Sequence, residues 1–128
     1  MNSYTPAQGD LVWLEFNAQA GHEQAGRRPA LVLSRREYNE KTSLAVFCPI
    51  TTKPKGYPFE VIVHGGKVHG VVLADHVKSL DWKARKAQFI EHANPAVLQK
   101  TLSKFNVIIE NSIGRRIPPQ DAYGDEAK

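Results

Sequence analysis

Gly9-Asp10-Leu11-Val12-Trp13-Leu14-Glu15-Phe16 is the stretch whose reading decides the fold class. Val12, Leu14 and Phe16 alternate with Leu11, Trp13 and Glu15, a period of two that sends successive side chains to opposite faces of a strand. Residues 17–28 follow as a polar, glycine-flanked segment without apolar periodicity. A loop that long is unusual in a small domain and marks a segment with work to do. Residues 30–33 and 44–48 read as further strands, the second stopped by Pro49, with Ser34 capping a short helix through Thr42 between them. Residues 59–63 alternate again, 70–74 form a short buried-type run, and Phe89 with Ile90 make a weak last strand. Six short strands are expected.

The last third changes period. Asn94 is a good N-cap, Pro95 suits the first helical position, and Leu98, Thr101, Leu102, Phe105, Ile108 and Ile109 recur every three or four residues. Gly114 is the expected stop. Short strands punctuated by Gly and Pro, plus one amphipathic C-terminal helix, describe a mainly β (α+β) domain: a small, strongly curved sheet or barrel sealed at one end. Residues 1–114 are expected to form this single domain. Residues 115–128, with two prolines, balanced charges and almost nothing to bury, are expected to be a disordered tail.

Composition narrows the function classes. The chain has 128 residues, 41% hydrophobic and 23% charged, which is enough to bury one core. No apolar run approaches the ~18–20 residues of a membrane span, and the first residues lack a basic flank and an apolar core, so neither membrane insertion nor secretion is expected. Cys48 is the single cysteine. It excludes an intramolecular disulfide framework, and without a Cys/His cluster at ligand spacing no metal or other cofactor is expected; a reducing cytoplasm fits. P-loop, dinucleotide-binding, His-Glu-x-x-His and Gly-x-Ser-x-Gly motifs do not occur. The five histidines (His22, His64, His69, His76 and His92) are scattered and read as surface or edge-strand residues.

Seventeen Lys and Arg against thirteen Asp and Glu give +4, with a pI near 9.3. The excess permits a polyanionic partner without demonstrating one. It is concentrated in residues 20–56 (Arg27, Arg28, Arg35, Arg36, Lys41, Lys53, Lys55) and 76–88 (Lys78, Lys83, Arg85, Lys86). Either cluster is compatible with a solvated face or with a phosphate-tracking surface.

The segment Gly21-His22-Glu23-Gln24-Ala25-Gly26-Arg27-Arg28-Pro29 puts two kinds of general-base candidate beside paired arginines. Arginine offers a planar fork matched to phosphate oxygens, and a carboxylate or imidazole can carry the proton of an attacking hydroxyl. The same composition also suits a merely polar loop. Thr51-Thr52-Lys53, then Lys55-Gly56-Tyr57, lie just past a buried strand, where side chains emerge onto a rim or form a turn.

Together these segments resemble the MazF/PemK (Kid-type) family of toxin endoribonucleases. The resemblance runs from residue 9 to residue 113 and is carried in order by Gly-Asp-Leu-Val-Trp (9–13), Gly-His-Glu-Gln-Ala-Gly-Arg-Arg-Pro (21–29) and Leu-Val-Leu-Ser (31–34). Tyr38-Asn39, Pro49-Ile50-Thr51-Thr52, Lys55-Gly56-Tyr57-Pro58-Phe59-Glu60-Val61, Gly70-Val71-Val72-Leu73-Ala74-Asp75, Lys78-Ser79 and Trp82-Lys83-Ala84-Arg85 continue it. It implies an SH3-like barrel of the MazF/CcdB type, a homodimer, and metal-independent, sequence-specific cleavage of single-stranded RNA. Arg28 and Thr51 fall on the family's catalytic pair, with Glu23 or His22 taking the 2′-hydroxyl proton and the donor to the leaving 5′-oxygen left unassigned, Arg28 itself being a candidate. Attack by that hydroxyl on the adjacent phosphorus leaves a 2′,3′-cyclic phosphate and a 5′-hydroxyl, and nucleophile and target then share one nucleotide. Lys53, Lys55, Lys78 and Arg85 are candidates to track phosphates, and Tyr57 or Trp82 to stack an unpaired base or to pack in the barrel. Kid-type members carry an arginine two residues before the aspartate matching Asp75; here that residue is Leu73, which places the sequence on the MazF-type branch. The resemblance also implies a cognate antitoxin with an acidic, extended segment. CcdB-like gyrase poisons share the fold, so a non-catalytic poison and a plain RNA-binding barrel are the alternatives.

Overall fold

The computed structural model describes residues 3–16 and 26–116. Among these, seven antiparallel strands form one curled sheet: β1 (Asp10–Glu15), β2 (Arg27–Val32), β3 (Leu44–Thr51), β4 (Glu60–His64), β5 (His69–Leu73), β6 (Lys78–Asp81) and β7 (Gln88–His92). Helix α1 (Arg36–Thr42) joins β2 to β3, and α2 (Pro95–Arg116) ends the domain. The strand order is β4-β5-β3-β2-β1-β7, with β6 also on β3.

β3 is shared. Its first half, from Leu44 to Phe47, pairs with β6, and its last residues, Ile50 and Thr51, pair with β5. The strand therefore runs through Pro49, where the sequence predicts a stop. The reason is local. The Leu33 N–H donates to the Val46 carbonyl at 2.8 Å, so in the β2–β3 register the bonded pairs alternate and Pro49, opposite Ala30, turns its nitrogen away from β2. That side is the gap between β6 and β5, where no ladder bond is lost.

β6 is the strand the sequence does not disclose. Lys78-Ser79-Leu80-Asp81 holds one apolar residue in a basic segment, and it is extended because the edge of β3 is there to pair with. Ser34 is likewise not the cap of α1. Arg35 takes that position without a side-chain hydrogen bond, while the Ser34 hydroxyl accepts the Val46 N–H at 2.8 Å and donates to the Asn39 amide oxygen. Ser34 thus stitches α1 to β3.

The central strands β1, β2 and β3 bury side chains on both faces. Leu11, Leu31, Cys48, Ile50, Val61, Val63 and Val72 form one core cluster with Val97 of α2, and Leu98 and Leu102 pack against it. Val12, Leu14, Ala30, Val32, Ala45, Phe47 and Trp82 form a second cluster. Phe47 is fully buried; truncation to alanine there costs about 3–5 kcal/mol. The curl brings the two ends of the sheet together. Glu91 of β7 accepts the backbone N–H groups of Gly66, Lys67 and Val68, in the β4–β5 turn, at 2.9–3.1 Å. These bonds hold the Glu91 carboxyl below the ordinary glutamate range.

α2 begins as its sequence predicts: the Asn94 side chain accepts the Ala96 N–H at 2.9 Å. It does not stop at Gly114 but runs to Arg116, because glycine keeps its N–H and lowers helix stability by only ~1 kcal/mol relative to alanine. Val97 and Thr101 are buried, whereas Val107, Ile108 and Ile109 are 53%, 39% and 44% exposed. The helix overhangs the sheet, leaving Val107, Ile108 and Ile109 uncovered. No helix among the described residues is long and apolar enough to cross a membrane.

Candidate active site

Two strands far apart in sequence deliver the central residues. Arg28 sits near the start of β2, opposite Leu14, with its side chain exposed. Thr51 is the last residue of β3, opposite Val71 of β5. The β5 backbone presses against it at Gly70, where an added Cβ would overlap the Thr51 carbonyl; only glycine permits that approach. The Thr51 hydroxyl accepts the Lys53 N–H at 3.1 Å, turning the chain onto the rim.

Arg28 and Thr51 line one open cleft of about 390 Å³, together with Lys53, Lys55, Tyr57, Glu60, Leu73 and His76. Three cations share it with one carboxylate. Glu60 is occupied: its two oxygens accept the N–H groups of Lys55 (2.9 Å) and Gly56 (3.2 Å). The Glu60 N–H in turn donates to the Tyr57 carbonyl at 3.1 Å. Glu60 therefore pins the loop that carries Lys53, Lys55 and Tyr57. Tyr57 is 51% exposed, with its ring free to meet a flat partner.

The other sequence candidates lie elsewhere. Trp82, one of the two candidate stacking platforms, is 7% exposed within the second core cluster. Its indole N–H donates to the Asn39 carbonyl at 2.9 Å, so its ring is committed to packing and is not open to a base. Arg85 donates to the carbonyls of Glu15 and Phe16 and ties the β6–β7 turn to the end of β1. Lys78 is exposed at the start of β6 and does not line this cleft. His22 and Glu23 lie outside the described residues.

Glu60 and His76 are cleft residues that the sequence does not single out as site candidates, and Leu73, which stands where Kid-type members carry an arginine, also lines the cleft. His76 follows Asp75 directly in the turn after β5, closed by the His76 N–H to the Leu73 carbonyl at 3.0 Å. Its position beside the Gly70–Asp75 motif was the available signal. Of the other described histidines, His92 bonds Asp10 at 3.0 Å and His64 faces His69 across the β4–β5 pair. No group of three or more His, Cys, Asp or Glu suited to a metal ion occurs among the described residues. Burial, with the nearby Asp75 charge, pushes the Cys48 thiol up to about 12, so it stays protonated at neutral pH.

Residues 7–109 match the family model described as "PemK-like, MazF-like toxin of type II toxin-antitoxin system". The chain is 48% identical over 109 residues to the endoribonuclease toxin MazF of Escherichia coli (strain K12), covering 85% of this chain and 98% of that one. A crystal structure of MazF from Deinococcus radiodurans superposes with a TM-score of 0.77 at 50% identity, over 84% of this chain and 99% of that one. A MazE-MazF crystal structure from the same organism gives 0.74 at 45% identity, over 84% of this chain and 97% of that one. The curled antiparallel sheet with its terminal helix is the fold of those structures, and this chain belongs to the PemK-like, MazF-like toxin family of type II toxin-antitoxin systems.

Proposed function

We propose that the protein is an endoribonuclease toxin that cuts single-stranded RNA at specific sequences, without a metal, by attack of a ribose 2′-hydroxyl on the neighbouring phosphorus. The observation that carries this reading is the meeting of Arg28, Thr51, Lys53, Lys55 and Tyr57 in one cleft. Arg28 stabilises the charge that grows on the phosphorane oxygens and Thr51 orients the same group. Lys53 and Lys55 hold flanking phosphates, and Tyr57 stacks an unpaired base. The 2′-hydroxyl proton goes to Glu23 or His22. Both oxygens of Glu60 are engaged by backbone N–H groups, so the described lining offers no free carboxylate pair to hold magnesium. That relatives are named endoribonucleases favours turnover over gyrase poisoning.

The same basic rim suits an antitoxin, as a relative's MazE-MazF complex suggests. An acidic, extended segment with apolar anchors would occupy the cleft in place of RNA, in the cytoplasm where both meet. A second copy of the chain covers the exposed Val107, Ile108 and Ile109 of α2.

The test is incubation of the purified protein with a long single-stranded RNA in EDTA, followed by mapping of cut sites and end groups. Cleavage to 2′,3′-cyclic phosphate and 5′-hydroxyl ends is expected. Loss of cleavage in EDTA with recovery in Mg²⁺ would overturn the reading.

A further inference from the structure

Cleavage by 2′-hydroxyl attack needs a proton twice: one leaves the nucleophile and one must reach the departing 5′-oxygen. The described cleft contains one side chain built to supply the second. His76 lines the same cleft as Arg28 and Thr51, and its side chain is 51% exposed. Its Nε2 lies 3.8 Å from the Asp75 Oδ1. That carboxylate oxygen is buried and has no hydrogen-bond partner among the described residues. An unpaired buried acceptor is uncommon and calls for an explanation; an imidazole N–H closing on it supplies one.

We propose that His76 is the general acid of the cleavage reaction, giving its proton to the 5′-oxygen as the P–O5′ bond breaks, and that Asp75 is the residue that positions its ring. The assignment rests on the nuclease reading above. With Nε2 turned to Asp75, Nδ1 is the nitrogen left for the leaving group. The 3.8 Å separation is longer than a hydrogen bond, as apo geometries of catalytic pairs often are before substrate tightens them.

The step balances. The 2′-oxygen bonds to phosphorus and its proton passes to the base; the P–O5′ electron pair passes to O5′, which takes the Nδ1 proton. Neutral His76 then regains a proton from water. The other donors in the cleft are poorer. A guanidinium suits charge stabilisation on the phosphorane oxygens better than proton transfer, and Arg28 serves as that charge partner. An imidazole exchanges its proton in the working range.

The test uses a short RNA spanning a mapped cut site, made with either the ordinary 5′-oxygen or a 5′-bridging sulfur, whose thiolate departs without protonation. His76→Gln should slow cleavage of the oxygen substrate by ~10²–10³-fold, with little change in KM, and cut the sulfur substrate at the wild-type rate. Its pH–rate profile should lose the fall in rate at alkaline pH. Asp75, Glu60, Arg28, Lys53, Lys55 and Tyr57 are the other titratable groups at or beside this cleft, so the limb is assigned by its loss in the variant and not by its position. Asp75→Asn should give the same substrate dependence in weaker form. Equal losses on both substrates, or an unchanged rate on the oxygen substrate, would overturn the assignment while wild-type cleavage leaves the nuclease reading standing. Failure of the wild-type protein to cut any RNA would overturn both.

Discussion

Arg28 and Thr51 come to one cleft from β2 and β3, and each carries a specific chemical demand. A phosphorane presents several charged oxygens, and a guanidinium meets two of them in a planar fork that an ammonium cannot reproduce. Arg28→Lys should therefore lose most activity although the charge is kept, and Thr51→Ala should lose about 10²-fold or more in kcat. Both variants should melt as the parent does, since Arg28 is exposed and the Thr51 hydroxyl, among the described residues, bonds only the Lys53 N–H. Single-turnover cleavage of one RNA, with melting curves alongside, checks this; unchanged rates would return both residues to structural roles. Trp82 shows the opposite outcome. Its place beside Lys83 and Arg85 in the sequence suits a stacking platform equally well, but a buried indole with a satisfied N–H is core.

At the scale of elements, one side chain ties the two ends of the sheet together. Glu91 joins β7 to the β4–β5 turn through three backbone N–H groups, and its depressed carboxyl value makes the clasp dependent on pH. The contribution is fully present above the unfolded carboxyl's value of about 4.3 and is lost as pH falls through the lower folded value. Glu91→Gln should flatten the acid side of a Tm-against-pH curve, and Glu91→Ala should lower Tm by several degrees at neutral pH. An acid limb of wild-type steepness in the glutamine variant would contradict the clasp. Most elements were legible from apolar period and punctuation, including the start of α2 at Asn94 and Pro95. β6 was not, because a four-residue edge strand is made by its partner and carries little pattern of its own.

For the whole molecule, the uncovered apolar residues of α2 are the feature a monomer leaves unexplained. Val107, Ile108 and Ile109 are exposed, as is Ile62 of β4 at 65%, and a groove of about 550 Å³ runs between β4 and α2 past Val61, Gln99 and Ser103. A domain of this size gains from covering such a surface. Light scattering at micromolar concentration should give twice the 14.3 kDa chain mass, and Ile108→Glu should shift it to the monomer value. A wild-type mass of one chain would rule the homodimer out.

The sequence by itself determined the mainly β class, the placement of most strands, the capped terminal helix, the absence of a disulfide framework and the family motifs. These depend on local periodicity, on caps and on residue identity, which a chain carries along its length. Tertiary structure alone decided that β3 continues through Pro49, that Trp82 packs inward, that α2 overhangs the sheet, and that Glu60 and His76 join Arg28 and Thr51. Each of those depends on which strand lies on the far side of another. That is a property of pairing between distant segments, and no local pattern encodes it.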